Sequence, residues 1–86
     1  MNIQLIQGQF SAKDAIDIVT QMIQVKVKYH ENKISNSLNE EDIKFRETKI
    51  KRFQKELFDF RNYINEKSEG VKLDAIIKIE VLESVK

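Results

Sequence analysis

Residues 43–64 read IKFRETKIKRFQKELFDFRNYI. Ile43, Ile50, Leu57 and Ile64 stand seven apart; Phe53 and Phe60 fill two of the three positions between them, and Arg46 occupies the third. An apolar residue every three or four positions draws one stripe along an α-helix. Phe45, Phe58 and Tyr63 widen that stripe. The opposite side carries charges of opposite sign four apart, in Asp42–Arg46, Glu47–Lys51, Arg52–Glu56 and Lys55–Asp59. Such pairs are worth only a few tenths of a kcal/mol each and mark a solvated face. The helix is expected over Glu40–Lys67, capped by Ser37 with Glu40 or by Asn39 with Asp42, and stopped by Gly70. At 1.5 Å per residue it is about 42 Å long. A helix of that length in a chain of 86 residues needs a long partner.

The partner lies upstream. Ser11 is suited to cap a helix, with Asp14 three residues on and Asp17 near the positive end of the dipole. Ala12, Ile16, Val19, Ile23, Val27, His30 and Ile34 then follow helical spacing, and a second row of Ala15, Ile18, Met22, Val25 and Tyr29 runs beside it. Together the rows span about 200° of the helix surface. One neighbouring helix covers less than that, so this helix is expected to be covered on two sides, by the second helix and by a sheet or another subunit. Ser35-Asn36-Ser37-Leu38-Asn39 reads as the loop between the two.

Both ends of the chain read as strands. Residues 2–9 partly alternate, with Ile3 and Leu5 on one side and Gly8 marking a bulge or bend. Residues 72–81 alternate cleanly, setting Leu73, Ala75, Ile77, Ile79 and Val81 against Lys72, Asp74, Ile76, Lys78 and Glu80. The resulting fold class is α+β: a β-α-α-β domain over residues 1–86, with a long antiparallel helical hairpin packed on a short antiparallel two-stranded ribbon. Ile77, Ile79 and Val81 are expected to face the helices. Two glycines and no proline agree with few, long elements. A ribbon of two strands has two open edges, and the second strand reads as longer than the first. Completion by a homodimer follows from the wide apolar arc and the open edges.

Composition narrows the function. The absence of cysteine excludes a disulfide scaffold and thiol chemistry. No apolar run reaches the roughly 18 residues of a membrane span, and Met1–Gln7 lacks the pattern of a signal peptide. Membrane partners are set aside and a cytoplasmic location is expected. With one histidine, no calcium-loop pattern and two isolated glycines, no metal, phosphate-loop or cofactor site is expected, and no catalytic set stands out. The chain reads as a non-enzyme without cofactors.

Two constellations remain. Lys26 and His30 lie one turn apart on the first helix, and an antiparallel hairpin brings Arg46 beside them, forming a small polar pocket suited to an anion. The plainer reading is that long side chains reach water where the core thins. Six basic residues and one acid lie between Lys44 and Lys55, a local charge of +5 in a chain whose total is +1. Lys44, Lys51, Arg52 and Lys55 share about 100° of the solvent side, a stripe able to contact nucleic-acid phosphates. A solvated helix face explains the same residues. The favoured function is therefore a small homodimeric protein-interaction or structural module that binds itself and a protein partner. The alternative is a nucleic-acid-binding accessory protein using the basic stripe.

Overall fold

The computed structural model describes residues 1–67 and 69–83. The elements run β1 (Asn2–Phe10), α1 (Ala12–Ser35), α2 (Glu40–Lys67) and β2 (Val71–Lys78). The architecture is α+β, with the two helices forming a hairpin and the two strands forming one antiparallel sheet.

The helix boundaries have local causes. The Ser11 hydroxyl accepts from the Asp14 backbone N–H at 3.1 Å, satisfying one free donor at the start of α1. At the start of α2 the Asn39 side-chain oxygen accepts from the N–H groups of Glu41 and Asp42, at 2.9 and 3.1 Å. Asn39 is thus the cap, and Ser37 holds the loop by accepting from the Asn39 N–H. Three of the four expected charge pairs close on α2: Asp42–Arg46 at 3.1 Å, Arg52–Glu56 at 3.4 Å and Lys55–Asp59 at 3.2 Å. Glu47 and Lys51 are both exposed and form no ion pair among the described residues. In high dielectric the attraction hardly offsets the lost side-chain entropy.

The ribbon departs from the sequence expectation in two places. Its register pairs Gln4 with Ile76 and Ile6 with Ala75, so Leu5 is an extra, bulged residue. Crossing the bulge reverses the alternation. Ile3 therefore shares a face with Ile6, Gly8 and Phe10, rather than with Leu5, and opposite them stand Ile77, Ala75, Leu73 and Val71. The reverse face is polar apart from Ile76, with Gln4, Gln7 and Gln9 facing Ile76, Asp74 and Lys72. Gly8 is not the bulge. It has φ of 146°, a region open to glycine, and the Phe10 ring lies 3.9 Å from where a Cβ would stand.

The second correction concerns β2, which ends at Lys78 and not at Val81. Lys78 pairs with Asn2, the first residue of β1, so β2 has no strand left to pair with. A last link joins the Ile79 N–H to the Met1 carbonyl at 2.7 Å, with the terminal ammonium donating to the Ile79 carbonyl at 3.1 Å. Beyond it Val81 is 85% exposed. Of the three residues expected to face the helices, Ile77 does so on the ribbon, while Ile79 and Val81 lie outside the strand. With nine residues in β1 and eight in β2, the second strand is not the longer.

In the hairpin, Ile16, Val19, Ile23, Val27, His30 and Ile34 of α1 are half-buried, as are Ile43, Arg46, Ile50, Phe53, Leu57 and Phe60 of α2. The register follows from cross-helix contacts: His30 meets Arg46, and Arg61 donates to the Thr20 hydroxyl. The same register sets Ile64 near the first turns of α1. The two residues that are fully buried among those described, Ala15 at 0% and Ile64 at 2% exposure, thus lie at the end where strands and helices meet. From there the layers part toward the loop. The chain measures 51 × 30 × 14 Å with a radius of gyration of 16.3 Å, against about 12 Å for a compact domain of this length.

Candidate functional site

Lys26, His30 and Arg46 come together around one ring. His30 stacks on Phe53 with centroids 5.9 Å apart, Lys26 Nζ lies 4.8 Å from the same centroid, and Arg46 Nη1 is 3.0 Å from His30 Nδ1. A guanidinium only donates, so His30 Nδ1 accepts and the ring proton sits on Nε2 in this arrangement. Arg46 Nε also donates to Asp42 at 3.1 Å. Tyr29 completes the cluster, edge-on to His30 at 5.3 Å and lying under both Lys33 and Arg46. The arrangement braces α1 against α2 through charge-assisted hydrogen bonds and cation–π contacts. Its cations are already engaged with Asp42, His30 and aromatic faces.

The basic stripe stays on the solvent side of α2. Lys44, Lys51, Arg52 and Lys55 are all exposed. Arg52 and Lys55 are held by Glu56 and Asp59 of the next turn, leaving Lys44 and Lys51 without an ion pair among the described residues. Among the described residues, no three His, Cys, Asp or Glu side chains cluster as a metal site would require. No described helix is long and apolar enough to cross a membrane.

An apolar concavity lies elsewhere. An open groove of about 590 Å³ runs between α1 and the ribbon. Met22 and Val25 form its helix wall, with Leu73, Ala75 and Ile77 on the β2 side. Leu5 and Ile6 extend the ribbon wall, the first because the bulge turns it out of the alternation. Two charged residues border it, and neither directs its charge inward: Lys26 lies over Phe53, and Asp74 accepts from the Gln4 amide at 2.7 Å on the polar side of the ribbon. Residue spacing did not locate this groove. The second apolar row of α1 announced an uncovered side, but the ribbon's place beside that row is a tertiary fact.

The row itself is graded. Ala15 is buried, Ile18 and Met22 are half-buried, and Val25 and Tyr29 are 70% and 54% exposed. The ribbon thus covers the near end of α1 and leaves the far end open. Set against known proteins, the chain matches no family model, no curated protein and no solved structure.

Proposed function

We propose that the chain is a homodimeric, non-catalytic protein-interaction or structural module acting in the cytoplasm. The observation that carries this reading is the amount of apolar surface one copy leaves uncovered. The chain exposes 7422 Å². A folded monomer of 10.2 kDa exposes about 5,300 Å² on the usual size scaling. The difference, about 2,100 Å², exceeds the roughly 800 Å² that each partner buries in a standard-size interface. Large apolar side chains contribute to it, with Leu5 on the ribbon at 48% exposure and Val25 on α1 at 70%. Leu5 and Val25 border the same apolar groove, and an exposed apolar patch marks an interaction surface. A second copy is the partner always present at matching concentration, and a net charge of +1 keeps self-repulsion small.

A folded state completed by association is stabilised by mass action. The thermal midpoint is therefore expected to rise by about 4 °C for each tenfold increase in chain concentration, given the unfolding entropy of a dimer of this size. Calorimetry over a hundredfold concentration range reads this directly. A midpoint independent of concentration would contradict the homodimer.

A further inference from the structure

We infer that the second copy seats on the groove between α1 and the ribbon, through a two-fold contact that presents the same groove face of each copy to the other. The inference rests on the homodimer reading and adds the surface through which the dimer forms.

Three observations select the groove. The first is chemical. Its walls are apolar, and the charges of Lys26 and Asp74 are directed to Phe53 and to Gln4 rather than into it. A two-fold contact places a patch against its own image. An uncharged apolar patch meets its image without like-charge repulsion, whereas the basic side of α2 does not. A charged peptide or a nucleic acid would find no counter-charge on these walls.

The second observation is exposure within the face. Met22 is half-buried, but Val25, one turn on, stands at 70% exposure, and Leu5 on the facing ribbon wall at 48%. Apolar side chains standing above an apolar hollow make a surface that is both knob and hole. That is what a self-complementary contact requires, since residue i of one copy meets residue j of the other and the converse.

The third is area. The surface that the whole chain exposes beyond a compact monomer of its mass, about 2,100 Å², is enough for an obligate homodimer, which buries about 1,000 Å² or more per chain. The groove face is where the apolar part of it is concave and continuous across two elements.

The test compares Val25→Glu with Phe58→Glu by sedimentation equilibrium, with circular dichroism to confirm the fold. Val25 and Phe58 are exposed to similar degrees in one copy, so neither substitution disturbs the core, and Phe58 does not line the groove. With the dimer formed through the groove, Val25→Glu buries an unpaired carboxylate and is expected to weaken association by about 100-fold or more. Phe58→Glu is expected to change it by less than about threefold, as a rim or non-interface change does. The chain has no cysteine, so Val25→Cys offers a single thiol. A short bis-maleimide should join two Val25→Cys chains in high yield and two Phe58→Cys chains poorly. A dimer that Val25→Glu leaves as tight as the parent would overturn the groove assignment and leave the homodimer reading intact. A monomeric parent chain would overturn both.

Discussion

Ile64→Asp is expected to unfold the chain at 25 °C. Ile64 is the largest side chain buried completely among the described residues, at 2% exposure. It belongs to the seven-residue series of α2 and sits at the end where all four elements converge. Removing its apolar volume alone costs about 2–4 kcal/mol. A carboxylate in its place adds the penalty of an unpaired buried charge, several kcal/mol more. A domain of this length has a total stability of roughly 4–13 kcal/mol, and little other core remains to resist the change, since among the described residues Ala15 is the only other one fully buried. The far-UV helix signal should collapse and the cooperative melting transition disappear. Ile64→Val, which keeps the site apolar, should cost only about 1 kcal/mol. An Ile64→Asp chain that melts cooperatively near the parent midpoint would contradict the position of the core.

The second large effect belongs to the ribbon. Gly8→Val is expected to lower the melting midpoint by about 10 °C. The space is available: a Cβ at Gly8 would meet the Phe10 ring at 3.9 Å, an ordinary contact. The obstacle is the backbone, whose φ of 146° is a conformation that a β-branched residue adopts only under strain. Such strain costs about 1–3 kcal/mol, and each kcal/mol moves the midpoint of a domain this size by about 4–8 °C. Differential scanning calorimetry checks it. A Gly8→Val chain that melts with the parent would show that the strand turns without using the glycine.

These two positions differ in how far residue spacing foretold them. Ile64 was legible, because a helix leaves a periodic trace and Ile43, Ile50, Leu57 and Ile64 keep that trace over three heptads. The first cap was legible, since Ser11 accepts the hydrogen bond expected of it; for the second, spacing offered Ser37 or Asn39, and the structure selects Asn39. The ribbon was legible in its existence and misread in its phase. A bulge depends on how two strands meet, so Leu5 could not be distinguished from its alternating neighbours by one strand's pattern. The end of β2 was misread for a related reason. Ile79 and Val81 continue the alternation, but a strand extends only as far as its partner, and β1 stops at Asn2.

Among candidate functional residues, helical periodicity and the hairpin loop together brought Lys26, His30 and Arg46 to one neighbourhood, and the structure finds them there. What periodicity cannot report is whether such charges face outward or satisfy one another; the Arg46 contacts with Asp42 and His30 show an internal brace. The groove lay outside the reach of spacing altogether. It is made of ordinary core-type residues, and only the incomplete closure of the ribbon over α1 turns them into a surface.

That incomplete closure carries the functional reading, and the solution mass tests it most directly. Multi-angle light scattering on the eluting protein at micromolar concentration should give twice the chain mass of 10.2 kDa, in one symmetric peak. A peak at the mass of a single chain would mean that one copy tolerates its open apolar face in water, and would contradict the account.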